Sequence, residues 1–342
     1  MAKHHMLLFL LLCLPSYFLH AQQTMKPKVL IITTGGTIAS QTNAPLREGA
    51  ELIQAVPQLT AYAAVEVEEF VRIGSSKMTP AFWLALVKRI RAVLNEKPGI
   101  TCVIITHGTD TMEETAFFLN LTHRSKVPIV LVGSMRSSNE VSADGPANLL
   151  SAVRVGISPE AIGKGVMVVL NDNISAARDL LKMNNNRVDA FPATEFGFLG
   201  SIDVGKVKFY RSPSQKHTVD SEFDVYERDH LPAVDIVQDF AGFDPEILAY
   251  FTGRPNEGVV ISSFAGGRMS EGMSSVYKLP AAHKPLVIAS SIKAGRIMGS
   301  NAPDSPIVIA NDLPANKARI LLMLALTQTK DVGKIQHYFN TY

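Results

Sequence analysis

The stretch Lys28–Ala39, KVLIITTGGTIA, decides how the chain folds. Its first half, KVLII (28–32), is short, mostly apolar and rich in β-branched residues, and it leads into a turn at Gly35 and Gly36. Such a run, apolar without alternation and bounded by glycine, reads as a strand buried on both faces of a parallel sheet. The pattern recurs in CVIIT (102–106), which leads into Gly108. Each turn delivers a threonine, Thr37 in TTGGTIA (Thr33–Ala39) and Thr109 in THGTDTMEET (Thr106–Thr115). Both hydroxyls are expected at strand C-termini, where open α/β sheets bind their ligands. Neighbouring strands would aim the pair at one small substrate.

Further strand-like runs follow at Pro128–Gly133, Gly165–Leu170, Val234–Val237, Gly258–Ile261, Pro285–Ala289 and Pro306–Ile309. Helical patterns alternate with them near Thr111–Leu121, Pro146–Val155 and Ala315–Thr327. The clearest helix is Pro80–Leu94, PAFWLALVKRIRAVL, with Thr79 placed to cap it and Pro80 in its first turn. Repeated alternation predicts an α/β fold: a mainly parallel, doubly wound sheet in a larger N-terminal domain, with a smaller α/β C-terminal domain. Between about Val204 and Pro232 the sequence turns polar and loses its periodicity. The expected organisation is therefore an N-terminal domain over 22–210, a linker over 211–232 and a C-terminal domain over 233–342.

The first 21 residues have a basic start at Lys3, an apolar run from Met6 to Leu14 and a small residue, Ala21, before Gln22. This is the pattern of a cleaved signal peptide, too short in its apolar part to span a bilayer, and it predicts export to the periplasm or the medium. Only Cys102 survives such a cleavage, so no intramolecular disulfide is expected. With 33 Lys and Arg against 31 Asp and Glu and no long block of like charge, neither nucleic acid nor an anionic membrane is an expected partner.

There is no GxGxxG after the first strand, no P-loop lysine motif, no HExxH and no GxSxG elbow. Nine histidines are present, three of them in the leader, and the rest are scattered, so neither a metal nor a cofactor is expected. A threonine hydroxyl attacks an amide poorly unless a base or a neighbouring charge network removes its proton. Lys182, in RDLLKMNNN (Arg178–Asn186), and Asp110, beside Thr109, are the candidates. Burial favours the neutral amine of a lysine and an adjacent carboxylate favours the ammonium, so the two effects oppose each other. Asp110 is equally suited to bind a substrate α-ammonium. Each feature has a plainer use: GGT as a tight turn, Lys182 as solvated surface, and Thr109 or Asp110 as the N-cap of the helix near Thr111. Their joint occurrence on a β–α alternating chain favours a site.

With these residues in place, the chain resembles the bacterial exported-type L-asparaginases of the asparaginase/glutaminase amidohydrolase family. The resemblance runs over nearly the whole chain after the leader: TGGTIA, ITHGTDTMEET, VGSMR followed by SADGPANL, VVLNDN, QKHT followed by FDV, and ALTQTKD (Ala325–Asp331). It implies hydrolysis of L-asparagine to L-aspartate and ammonia, with L-glutaminase side activity and no cofactor. By the same resemblance Thr37 is the nucleophile and Thr109, Asp110 and Lys182 complete the catalytic set. Ser75, in IGSSKM (Ile73–Met78), would grip the α-carboxylate and Asp110 the α-ammonium. Ser76 stands where some relatives have glutamine and joins the substrate-binding set. The Thr109 amide would contribute to an oxyanion hole. A homotetramer built from intimate dimers is implied as well, each site completed by a neighbour's C-terminal domain.

The chain also departs from its relatives. Their lid after GGTIA carries a tyrosine that touches the nucleophile, whereas Ser40–Glu51 is short and has none. Their C-terminal domain contributes an asparagine and a glutamate, whereas Gly267 or Arg268 and Pro303 or Asp304 occupy those stations here. A curtailed lid is expected either to lower turnover or to open the site to larger amides. Two alternatives therefore stand beside asparagine hydrolysis: an amidohydrolase for another small amide, and a non-catalytic binder of aspartate-like ligands.

Overall fold

The structure, a computed structural model, describes residues 25–40, 48–279, 284–298 and 306–342. The leader, most of the lid and Asp304 lie outside the described residues. Strands β1 (Lys28–Gly35), β2 (Ala64–Ile73), β3 (Ile100–Thr106), β4 (Ile129–Val132) and β5 (Val166–Leu170) are parallel. They stand in the order β2-β1-β3-β4-β5, and the short antiparallel strands β6 (Asn173–Ala176), β7 (Gly200–Asp203) and β8 (Lys206–Phe209) extend the sheet beyond β5. A second sheet of four parallel strands, β9 (Val234–Gln238), β10 (Gly258–Ser263), β11 (Leu286–Ser290) and β12 (Ile307–Ile309), has the order β12-β11-β10-β9. The expected α/β class, with a larger N-terminal sheet and a smaller C-terminal one, is the observed fold.

The helices are α1 (Gly49–Gln54), α2 (Leu59–Tyr62), α3 (Pro80–Glu96), α4 (Met112–Thr122), α5 (Gly145–Gly156), α6 (Pro245–Gly253), α7 (Ala315–Ala325) and α8 (Val332–Thr341). Helix α3 starts as its sequence predicts, with the Phe82 N–H donating to the Thr79 hydroxyl and Pro80 at the first helical position. Its apolar stripe, including Trp83, Leu86 and Ile90, packs on one face of the large sheet, while α5 covers the other with Leu149, Ala152 and Val153. The first of these cores continues through α4 into α7 and on to Val260 and Val287 of the second sheet. The two sheets thus share buried apolar surface, which fixes the second against the first.

Several elements carry no strong sequence signal. The edge strand β2, AVEVEEFVRI, is half exposed, and Glu66, Glu68 and Glu69 on it pair with Lys97, Arg89 and Arg72. Charge on an exposed edge discourages pairing with other chains, and it also hides the strand from a search for apolar runs. Strand β6 turns back from β5 through Asn171 and Asp172, both at positive φ, as a two-residue hairpin requires.

Candidate active site

The chain leaves β1 for the edge strand β2, then crosses back over β1 to form β3 on its other side. This reversal makes β1 a topological switch point, where the turns on either side diverge and open a crevice at the strand C-termini. Three turns meet there, carrying Ser75 after β2, Thr37 after β1 and Thr109 after β3. Gly35 and Gly36 have φ of 96° and 83°, a region glycine enters without strain. The Gly36 N–H donates to the Ile73 carbonyl at 3.0 Å, tying the Thr37 turn to the end of β2. Gly108 has no room for a side chain, since a Cβ there would stand 2.6 Å from Ser75 Oγ.

Lys182 follows β6 on an irregular segment and reaches this crevice. Its ammonium donates to Thr109 Oγ1 at 2.8 Å and to Asp110 Oδ1 at 2.9 Å. Thr109 is buried, the Lys182 side chain is 18% exposed and the Asp110 side chain 65%, so the carboxylate forms the open side of the cluster. The Asp110 N–H donates to Ser75 Oγ at 3.1 Å, and the Thr111 hydroxyl donates to the Ser75 carbonyl at 2.8 Å. Neither Thr109 nor Asp110 caps α4: the residue in the cap position is Thr111, and no side chain fills the capping role. The capping and surface alternatives for Thr109, Asp110 and Lys182 are thereby replaced by direct bonds among the three.

Thr37 opens a short 3-10 turn, Thr37–Ala39, and is partly exposed. Among the described residues no side chain hydrogen-bonds to its hydroxyl. Ser76 is exposed and makes no bond to the cluster. Arg268 is exposed after β10 and likewise stands outside the described hydrogen bonds of the cluster, and Asp304 falls outside the described residues.

Around the cluster lie groups that sequence spacing did not single out. Glu113, on the first turn of α4, accepts the Lys182 N–H at 2.9 Å with one oxygen and the Asn316 amide at 2.7 Å with the other. His107 is fully buried, and its Nδ1–H donates to the Gly108 carbonyl at 2.7 Å, which leaves Nε2 to accept the Thr115 hydroxyl at 2.9 Å. The Trp83 indole N–H donates to that same hydroxyl oxygen. Burial pushes His107 down to about 4, so the ring is neutral at physiological pH and holds this fixed tautomer beneath the Gly108–Thr109 peptide. The only hint in the sequence was that His107, Glu113 and Thr115 share the segment THGTDTMEET, where Glu113 passes for an ordinary acidic residue in a first helical turn, while Trp83 and Asn316 lie outside it.

The site is thus a buried hydroxyl, an amine and an exposed carboxylate in direct contact, next to a second threonine turn at the switch point of a doubly wound sheet. Two family models match the chain, Asparaginase, N-terminal, over residues 28–215, and Glutaminase/Asparaginase C-terminal domain, over residues 233–339. L-asparaginase 2 of Bacillus subtilis is 39% identical over 332 residues, covering 92% of this chain and 87% of that protein. A glutaminase-asparaginase of Acinetobacter glutaminasificans is 40% identical over 93% of this chain and its own full length. Among solved structures, a probable cytoplasmic L-asparaginase from Campylobacter jejuni superposes with a TM-score of 0.88 at 41% identity, covering 93% of this chain and all of that one. The chain belongs to the asparaginase family.

Proposed function

We propose that the chain hydrolyses L-asparagine to L-aspartate and ammonia, with L-glutamine as a side substrate, through an acyl-enzyme on Thr37. The observation that carries this reading is the Lys182 ammonium, bonded at once to Thr109 Oγ1 and Asp110 Oδ1 beside the Thr37 turn. Ser75 receives the substrate α-carboxylate, with Ser76 at the outer edge of that subsite, and Asp110 receives the α-ammonium. Thr37 Oγ attacks the side-chain amide carbon while the Thr109 N–H stabilises the developing oxyanion. The Thr37 proton passes by way of the Thr109 hydroxyl into the Lys182–Asp110 pair, then to the departing nitrogen as the C–N bond breaks and ammonia leaves. Water then attacks the ester, giving aspartate and restoring Thr37.

The test is ammonia release by residues 22–342 from L-asparagine, L-glutamine and D-asparagine, with Thr37→Ala and Thr109→Ala alongside. L-asparagine turnover abolished by both changes supports the reading. A folded protein silent on all three amides overturns it and leaves the other two readings, a different small amide or ligand binding alone.

We further read residues 1–21 as a cleaved signal that sends the mature chain to the periplasm or the medium; fractionation of cells expressing the full chain tests this. The assembly is a homotetramer in the same reading. In its support, Ile292 and Met298, which follow β11, and Tyr250 on α6 expose apolar side chains to solvent in the single chain. A monomer in light scattering at micromolar concentration would overturn it.

A further inference from the structure

Lys317, in the first turn of α7, is 0% exposed. Its ammonium donates to the carbonyls of Ala177, Arg178 and Leu180 at 3.1, 2.7 and 2.6 Å, one for each of its N–H groups. None of these carbonyls accepts a backbone N–H among the described residues, because segment 177–181 is neither strand nor helix. No carboxylate of the described residues lies within ion-pair distance of Lys317, although Glu113 and Asp179 act on it through space. Burial lowers the ammonium to about 8, which still leaves it charged, with three donors, at neutral pH. Burying a charge without a direct counterion is costly unless its hydrogen bonds are complete, and these are.

Two residues beyond Leu180 stands Lys182, held on both sides by its backbone. Its N–H donates to Glu113, and its carbonyl accepts the Lys293 ammonium at 3.2 Å. Asn316, next to Lys317, donates to the other oxygen of Glu113, and its own Oδ1 accepts the Lys317 N–H. The start of α7, which belongs to the second sheet's half of the chain, therefore grips both the segment before Lys182 and the carboxylate that seats it.

We propose that Lys317 is a positioning residue for the reactive centre: by gathering three carbonyls it sets the path of the segment that brings the Lys182 amine to Thr109 and Asp110. This rests on the role given to Lys182 above. A methionine at 317 would fill much of the same space and leave three buried carbonyls unpaired. The segment would then turn those carbonyls toward water and carry Lys182 away, while Ser75 and the Asp110 N–H, held by each other, stay in place. The consequence falls on turnover rather than on substrate capture.

The experiment compares wild type, Lys317→Met and Lys317→Arg by steady-state ammonia release from L-asparagine, thermal melting, and hydrogen–deuterium exchange of peptides covering 177–183. Lys317→Met is expected to lose on the order of 100-fold in kcat with KM within about threefold. Amides of 177–183 should exchange roughly tenfold faster, with peptides of β1 unchanged. Lys317→Arg, which keeps a buried donor, should recover part of both. A Lys317→Met protein that melts lower yet keeps kcat within about threefold, or keeps wild-type protection at 177–183, overturns the proposal and leaves a purely structural lysine. If Lys317→Met does not fold, Lys317→Gln, with two N–H donors, carries the same readouts with an expected kcat loss of roughly tenfold. A wild type without ammonia release would sink the asparaginase reading, while the exchange data would still decide whether Lys317 holds the segment.

Discussion

Gly36 and Gly108 meet backbone to backbone: a Cβ built on Gly36 would stand 2.3 Å from the Gly108 nitrogen and 2.4 Å from its Cα. The two threonine turns are therefore locked together by the absence of a side chain, with φ at Gly36 adding a second demand for glycine. Gly36→Ala must push the turns apart, and kcat/KM is expected to fall roughly 100-fold together with a lower melting temperature. Gly163 is the matched control, since its φ is also positive but a Cβ there meets nothing within 4 Å. Gly163→Ala should cost about 1 kcal/mol of stability and leave activity unchanged. Equal kinetic effects from both substitutions would show that the contact between the turns is unimportant.

Acid stability follows from two buried histidines. Burial pushes both His107 and His123 down to about 4 from an ordinary 6.5, each against the raising effect of a backbone hydrogen bond. In the unfolded chain they protonate near 6.5, so between 6.5 and 4 the unfolded state binds more protons. The stability they contribute is complete above 6.5 and is lost as pH falls toward 4, by about 3 kcal/mol for each histidine as an upper bound. Urea denaturation at stepped pH should show this decline, and His123→Gln should remove about one proton from its slope. A slope unchanged by that substitution would exclude His123 as a contributor.

The apolar runs behind β1, β3, β4, β5 and β10 to β12 were legible in the sequence because strands buried on both faces need unbroken apolar stretches, whereas the edge strand β9, with Asp235 inside it and Ile236 exposed, left only the shorter signal Val234–Val237. Thr37 and Thr109 were legible for the same reason, as each directly follows such a strand and a glycine. Strand β2 was not, since its glutamates answer to solvent and to Arg72, Arg89 and Lys97 rather than to a core. Lys182 bonds to Thr109 and Asp110, but its seat could not be read. Glu113 and Asn316 are 203 residues apart, and only the packing of α4 on α7 brings them together. Ser76, placed beside Ser75 by motif alone, has no bond to the cluster because the short turn Ser75–Lys77 points consecutive side chains in different directions, one buried and one exposed.

Arg178 offers a test of how the two halves are joined. Its guanidinium makes a two-pronged pair with Asp312 at 3.1 and 2.9 Å, and its Nε–H donates to the main-chain oxygen of Tyr342 at 2.6 Å. With the Arg178 side chain 9% exposed and Asp312 20%, Arg178→Met leaves the Asp312 carboxylate and the Tyr342 main-chain oxygen without their partner and should cost about 3 kcal/mol. The exposed pair Lys97–Glu66, about half open to solvent on both sides, should show no measurable change on Lys97→Ala. Guanidinium denaturation of both variants makes the comparison, and equal costs would mean that burial does not set the strength of the Arg178 pair.

Lys182 and Asp110 touch each other, yet their removal should register differently. Lys182→Met deletes the only described side-chain partner of the Thr109 hydroxyl and the proton carrier of the proposed reaction, while Ser75 still holds the Asp110 N–H. Turnover should fall by about 1,000-fold with little change in KM, because a group that moves a proton acts in the transition state rather than in binding. Asp110→Asn keeps an acceptor for Lys182 but removes the charge that, in the proposed reaction, faces the substrate α-ammonium from the open side of the site. Here KM should rise roughly tenfold in addition to a loss in kcat, since a charge-assisted hydrogen bond is exchanged for a neutral one. Steady-state ammonia release from L-asparagine separates the two patterns. If Lys182→Met kept its kcat within about threefold, the amine would be a structural tether for Asp110 and the proton would leave Thr37 by another route.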